Sequence, residues 1–96
     1  MRIQTFREAT QGFNPQYQCY WENKTHLVAI SDFDFDKQAN ALYLLPYHEH
    51  VLQFKALEVI ANALNADVKI LIKTKSGKNF PLFGFRIVDQ TKILFS

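Results

Sequence analysis

The sequence predicts a single α+β domain over residues 1–96, with antiparallel β-meanders flanking one central, largely buried α-helix in the order βββ-α-βββ. Three observations predict it. The stretch His50–Asn65, HVLQFKALEVIANALN, combines strong helix formers with little polar surface. Runs of aromatic and β-branched residues lie on both sides of it. Turn residues divide those runs at short intervals.

On a wheel of about 100° per residue, Lys55, Glu58, Asn62 and Asn65 fall within a stripe roughly 80° wide, with Val51 the one apolar residue among them. A helix lying on one sheet has a wider polar side than that. The pattern therefore predicts a helix covered on two sides, by its own chain or by a partner.

Residues 1–10 read equally as a short strand or as a helical turn, and Gln11-Gly12-Phe13-Asn14-Pro15 ends them. Tyr17–Glu22 and His26–Phe35 read as a hairpin closed by Asn23-Lys24-Thr25. After a polar turn at Asp36–Asn40 comes a third strand, Ala41–Leu45. Pro46 then suits a helix's first turn, where its missing amide proton has no partner to lose, and the helix is expected from about Tyr47 to Asn65. Val68–Thr74 alternates apolar and lysine residues, Lys75-Ser76-Gly77-Lys78 is a turn, and Asn79–Val88 and Lys92–Phe95 complete a second meander around Asp89-Gln90-Thr91. Strands joined by such short turns pair antiparallel, because a parallel pair needs a long crossover.

Composition narrows the function classes. A chain of 96 residues buries about 60–65% of its unfolded surface, and 48% hydrophobic with 15% aromatic residues supplies a dense core with some to spare for an interface. The lone Cys19 forms no intramolecular disulfide, no signal-like run opens the sequence, and no apolar stretch reaches 18 residues. A cytoplasmic protein without a membrane span is the expectation. Residues 1–66 carry five basic and seven acidic side chains, whereas residues 67–96 carry six basic and two acidic, so one end of the molecule should be positive.

Few residues suggest chemistry. In Ser31-Asp32-Phe33-Asp34-Phe35-Asp36, a strand of period two places Asp32, Asp34 and Asp36 on one face and the two phenyl rings on the other. A calcium loop starting at Asp32 would need glycine and glutamate where Lys37 and Tyr43 occur. The triplet reads first as a solvated strand face and second as an acidic stripe that docks on a basic partner. His48 and His50 diverge by about 200° on a helix, so they do not form a metal pair, and Glu49 complements a helix dipole. Cys19 reads as a small buried hydrophobe. No Gly-rich phosphate loop, GxSxG elbow or CxxC occurs.

Lys69 and Lys73 share one face of their strand. With Lys75, Lys78, Arg86 and Lys92 they outline a basic surface, and Phe80, Phe83 and Phe85 nearby suggest a stacking platform. The plainer reading makes the lysines a solubilising edge and the rings core. The sequence thus predicts a small non-catalytic protein-protein interaction module, of the bacterial or phage inhibitor or immunity type. It would bind another protein or itself through Asp32, Asp34 and Asp36, without cofactor or metal. The second expectation is single-stranded nucleic-acid binding through the six basic residues.

Overall fold

Ile3, Phe6 and Thr10 recur at helical spacing. In the computed structural model, which describes all residues Met1–Ser96, they are the buried side of a seven-residue helix, α1 (Ile3–Ala9), and its end. The helical alternative for the first ten residues is therefore the correct one. Phe6 is what anchors it, since its ring lies within 6.0–6.3 Å of those of Phe54, Phe85 and Phe95.

The first hairpin forms as expected, with β1 (Gln18–Asn23) antiparallel to β2 (His26–Ala29). The expected strand His26–Phe35, however, is two strands. Ile30 donates its amide to the Cys19 carbonyl at 3.0 Å, and Ser31 donates to Leu45 at 2.9 Å, so neighbouring amides bind different sheets. Beyond this crossing, β3 (Asp32–Asp36) pairs antiparallel with β4 (Ala41–Leu45).

The helix also differs from the expectation: α2 is Phe54–Ala63, ten residues, and does not begin near Pro46. Two interactions hold Tyr47–Gln53 out of the helix. His48 takes a left-handed backbone (φ +58°), exchanging hydrogen bonds with Ala29 through its own amide (3.1 Å) and through Nδ1, which accepts the Ala29 amide at 2.9 Å. The buried Ser31 hydroxyl accepts the Glu49 and His50 amides at 3.0 and 3.4 Å and donates to the His50 carbonyl at 2.9 Å. Leu52 is then wedged between Ile30 and Cys19 by backbone hydrogen bonds of 2.8 and 2.9 Å.

Shortening changes the helix's character. Leu52 and Leu64, two residues of the expected apolar circumference, lie outside it, as does Val51. What remains buries Phe54, Leu57 and Ala61 on one side and leaves Val59 66% exposed. The expectation of a largely buried helix is corrected to an amphipathic helix lying on the protein's surface.

The alternating segment after α2 is β5 (Lys69–Lys73), with Ile70 and Ile72 buried. The expected strand Asn79–Val88 is again divided, into β6 (Asn79–Pro81) and β7 (Phe85–Val88), with the chain changing sheets at Leu82–Gly84. β8 (Lys92–Phe95) closes the fold. The order is thus α-ββββ-α-ββββ, a mixed α+β arrangement with two sheets, β2-β1-β8-β7 and β3-β4-β5-β6. All four hairpins are antiparallel, as their short turns require. The joins between them are parallel: β4 to β5 through the α2 crossover, and β1 to β8 across the length of the chain. Arg2 bridges Lys69, extending the edge of the second sheet beside β6.

One core serves both sheets and both helices. Cys19, Trp21, Ile93 and Phe95 come from the first sheet, Leu42, Leu44, Ile70 and Ile72 from the second, and Ile3, Phe6, Phe54, Leu57 and Ala61 from the helices. Neither helix is long and apolar enough to cross a membrane. α2 has no basic residue in its last turn, and Arg7 of α1 supplies the missing charge from outside. Its Nε donates to the Ala61 carbonyl at 2.7 Å and its Nη2 to that of Leu64, satisfying carbonyls that the helix end leaves open.

Replacing Ser31 by alanine strips the Glu49 amide of its acceptor, and should cost about 1–3 kcal/mol and lower the Tm by on the order of 10 °C in a thermal melt. Arg7→Ala should cost roughly 2 kcal/mol in urea unfolding. Arg7→Lys should recover only part of that, because an ammonium cannot span two carbonyls as the planar guanidinium does.

Candidate functional site

The register of the second sheet fixes which side chains share a face. Phe33 lies opposite Leu44 and Phe35 opposite Leu42, on the side packed against the core, so Asp32, Asp34 and Asp36 project from the other side opposite Leu45, Tyr43 and Ala41. In β5, Ile70 and Ile72 follow Leu42 and Leu44 inward, which puts Lys69, Leu71 and Lys73 on the outer side. Pro81 and Asn79 of β6 complete it opposite Leu71 and Lys73.

The acidic residues and two of the basic ones therefore share a surface that neither helix covers. Asp36, Ala41 and Lys69 form one row across the sheet, and Asp34, Tyr43, Leu71 and Pro81 form the next. Carboxylates occupy the β3 column and lysines the β5 column, two strands or about 10 Å apart. That separation is too great for direct ion pairing, and the three ion pairs of the protein all lie elsewhere. Lys73 instead lies over the Tyr43 ring, 4.7 Å from its centroid, and Tyr43 is only 7% exposed although it faces away from the core. The result is an apolar central strip between a negative and a positive margin.

The three carboxylates differ in their local duties. Asp36 Oδ1 accepts the amides of Gln38 (3.0 Å) and Ala39 (3.1 Å), closing the β3–β4 turn. Asp32 Oδ1 accepts the Phe33 amide at 2.8 Å. Asp34, between them, is exposed and joins none of the ion pairs.

The six basic residues are distributed over both sheets. Lys69 and Lys73 lie on the face just described, Lys75 and Lys78 in the β5–β6 turn, and Arg86 and Lys92 on β7 and β8. Carboxylates hold three of them: Lys75 binds Glu49 at 3.2 Å, Arg86 binds Glu22 at 2.7 Å, and Lys92 lies 3.8 Å from Asp89. The phenylalanines are not a common platform either. Phe80 packs inward on Trp21 with centroids 5.3 Å apart, Phe85 belongs to the cluster of Phe6, Phe13 and Phe95, and Phe83 is 81% exposed.

His48 and His50 serve the loop that meets Ala29 and Ser31, and no three His, Cys, Asp or Glu side chains converge as a metal would require. Cys19 is fully buried, and desolvation pushes its thiol up to about 12, far from the range of a reactive thiolate. Two residues escaped the sequence reading altogether. Tyr43 looked like any strand aromatic, and nothing local signals that Lys73, thirty residues on, lies over its ring. Ser31 looked like the polar start of an acidic run, whereas its hydroxyl organises a loop eighteen residues away.

The chain matches no family model, no curated protein and no solved structure.

On the outer side of the first sheet, the Arg86 guanidinium hydrogen-bonds Glu22 and holds its carboxyl below the usual value of 4.5. The pair's contribution to stability is therefore present above that usual value and lost as pH falls through the lowered pKa. An NMR pH titration should show Glu22 titrating below 4.5, and Arg86→Ala should return it toward 4.5.

Proposed function

We propose that the chain is a small non-catalytic binding module that acts by stoichiometric occupation of another protein's surface, through the outer face of β3–β6. One observation carries this reading: the acidic and lysine columns flank the Tyr43–Leu71 strip on a face that neither helix packs against. Opposed charges set about 10 Å apart fix the orientation of a docked surface, and the apolar contact comes from the half-buried Leu71 and the exposed Pro81, since Tyr43 is itself almost covered. An inhibitor or immunity role fits a module of this size and kind. A cytoplasmic setting suits its single buried, unpaired thiol.

Self-association is the second reading, favoured by the same geometry. Two copies meeting face to face about a two-fold axis would set the carboxylate column of each on the lysine column of the other. Charge exchange separates the readings. Asp34→Lys and Lys73→Glu should each weaken capture of a partner from lysate at least tenfold, as read by quantitative mass spectrometry. If the partner is a second copy, light scattering on the wild type should give twice the chain mass, each single variant should give a monomer, and the double variant should recover the dimer. A monomer that captures the same proteins after both changes would defeat both readings.

A further inference from the structure

We propose that the outer edge of β3 receives an extended peptide whose side chains alternate between cationic and apolar, adding a fifth strand to the second sheet. The inference rests on the docking reading above and names the kind of partner that its acidic margin selects.

β3 is the terminal strand of its sheet and pairs only with β4. The Phe33 amide is taken by the Asp32 carboxylate at 2.8 Å, so it points away from the ladder, and alternation sends the Phe35 amide and both residues' carbonyls the same way. These groups are what an added strand would bind. The Asp32 carboxylate holds the place of an incoming carbonyl and caps the edge while it is empty.

The residues of β3 also dictate what can pair there. Opposite Asp32, Asp34 and Asp36 an incoming strand needs positive side chains, because cross-strand neighbours sit within about 5.5 Å and like charges repel. Its other side chains turn inward, beside Phe33 and Phe35. There the surface is already grooved. Phe33 lines one hollow with Val51, Ala56 and the exposed Val59, and Phe35 lines a second with Ala63 and Leu64; each also holds one lysine, Lys55 and Lys37, so the side chains that enter them must be apolar and the cationic ones must keep to the carboxylate side. The two phenyl rings are two residues apart, so successive inward side chains of one strand would reach successive hollows. A second copy of β3 does not fit, since antiparallel self-pairing sets Asp34 against Asp34 and Asp32 against Asp36. Charge complementarity thus selects a basic, alternating strand over a second copy of this chain.

The test uses the intact protein and four end-blocked nine-residue peptides: alternating lysine and valine, the same with N-methylated valines, alternating lysine and glycine, and alternating glutamate and valine. Binding is read by fluorescence anisotropy, and amide hydrogen exchange at Phe33 and Phe35 by NMR. The lysine–valine peptide should bind one to one and slow exchange at both amides at least tenfold. N-methylation, replacement of valine by glycine, and Asp34→Lys in the protein should each weaken binding at least tenfold, and the glutamate peptide should not bind. Equal binding of the N-methylated or the glycine peptide would overturn the proposal, as would a peptide-free dimer that protects the same two amides. Binding that depends on Asp34 but leaves both amides unprotected would overturn strand addition while sparing the docking face. Protection of both amides in a protein that captures no partner would uphold the strand site and leave the module reading to fail separately.

Discussion

The two consecutive peptides at Ile30 and Ser31 are the constraint on which the remaining architecture depends. One amide is committed to β1 and the next to β4, so a single step of chain ties the two sheets together. The same two residues then recruit the segment after β4: the Ile30 carbonyl holds Leu52, and the Ser31 hydroxyl holds Glu49 and His50. With Leu52 fixed, the chain reaches Phe54 aimed at the core, and α2 starts there. A helix beginning at Pro46 would sacrifice all these bonds for about two further turns.

The placement of α2 in turn shapes the surface. As a crossover between two parallel neighbours, it must lie on the core side of β4 and β5 and run beside the inner side of β3. The opposite side of the sheet is left without a cover, and the alternation of its strands decides what is displayed. The charged margins and the Tyr43–Leu71 strip follow from period two and the registers of three strand pairs, with no special loop or cavity required.

Much of this was legible locally. Alternation in Asp32–Asp36 and Val68–Lys73 gave the correct facing of each carboxylate, ring and lysine, and the turn residues at 23–25, 36–40, 75–78 and 89–91 marked all four hairpins. Long-range choices were not legible. Nothing in Ile30-Ser31 announces a change of sheet, because His26–Phe35 also suits a single strand, whereas Pro81 and Gly84 do interrupt Asn79–Val88 and are the local signal of its break. The parallel joins depend on partners more than twenty residues away. Pro46 is compatible with a helix start yet does not compel one, and the competing hydrogen bonds come from Ser31 and Ala29, fifteen and seventeen residues earlier. Part of the apolar girth expected of the central helix belongs to Leu52, in the extended segment before it, and to Leu64 beyond its end. That the acidic and lysine columns share one face could be told only once β4 was known to lie between them.

The pairing of β1 with β8 has a consequence for biosynthesis. Residues 18–21 find their parallel neighbours only at 92–95, so more than seventy residues must emerge from the ribosome before the first hairpin gains its second flank. Until then its Cys19 and Trp21 side has no Ile93 or Phe95 to pack against. The hairpin therefore stays uncovered on that side while the intervening residues are made, and a pairing so distant in sequence is slow to form and leaves apolar surface open to other chains in the meantime.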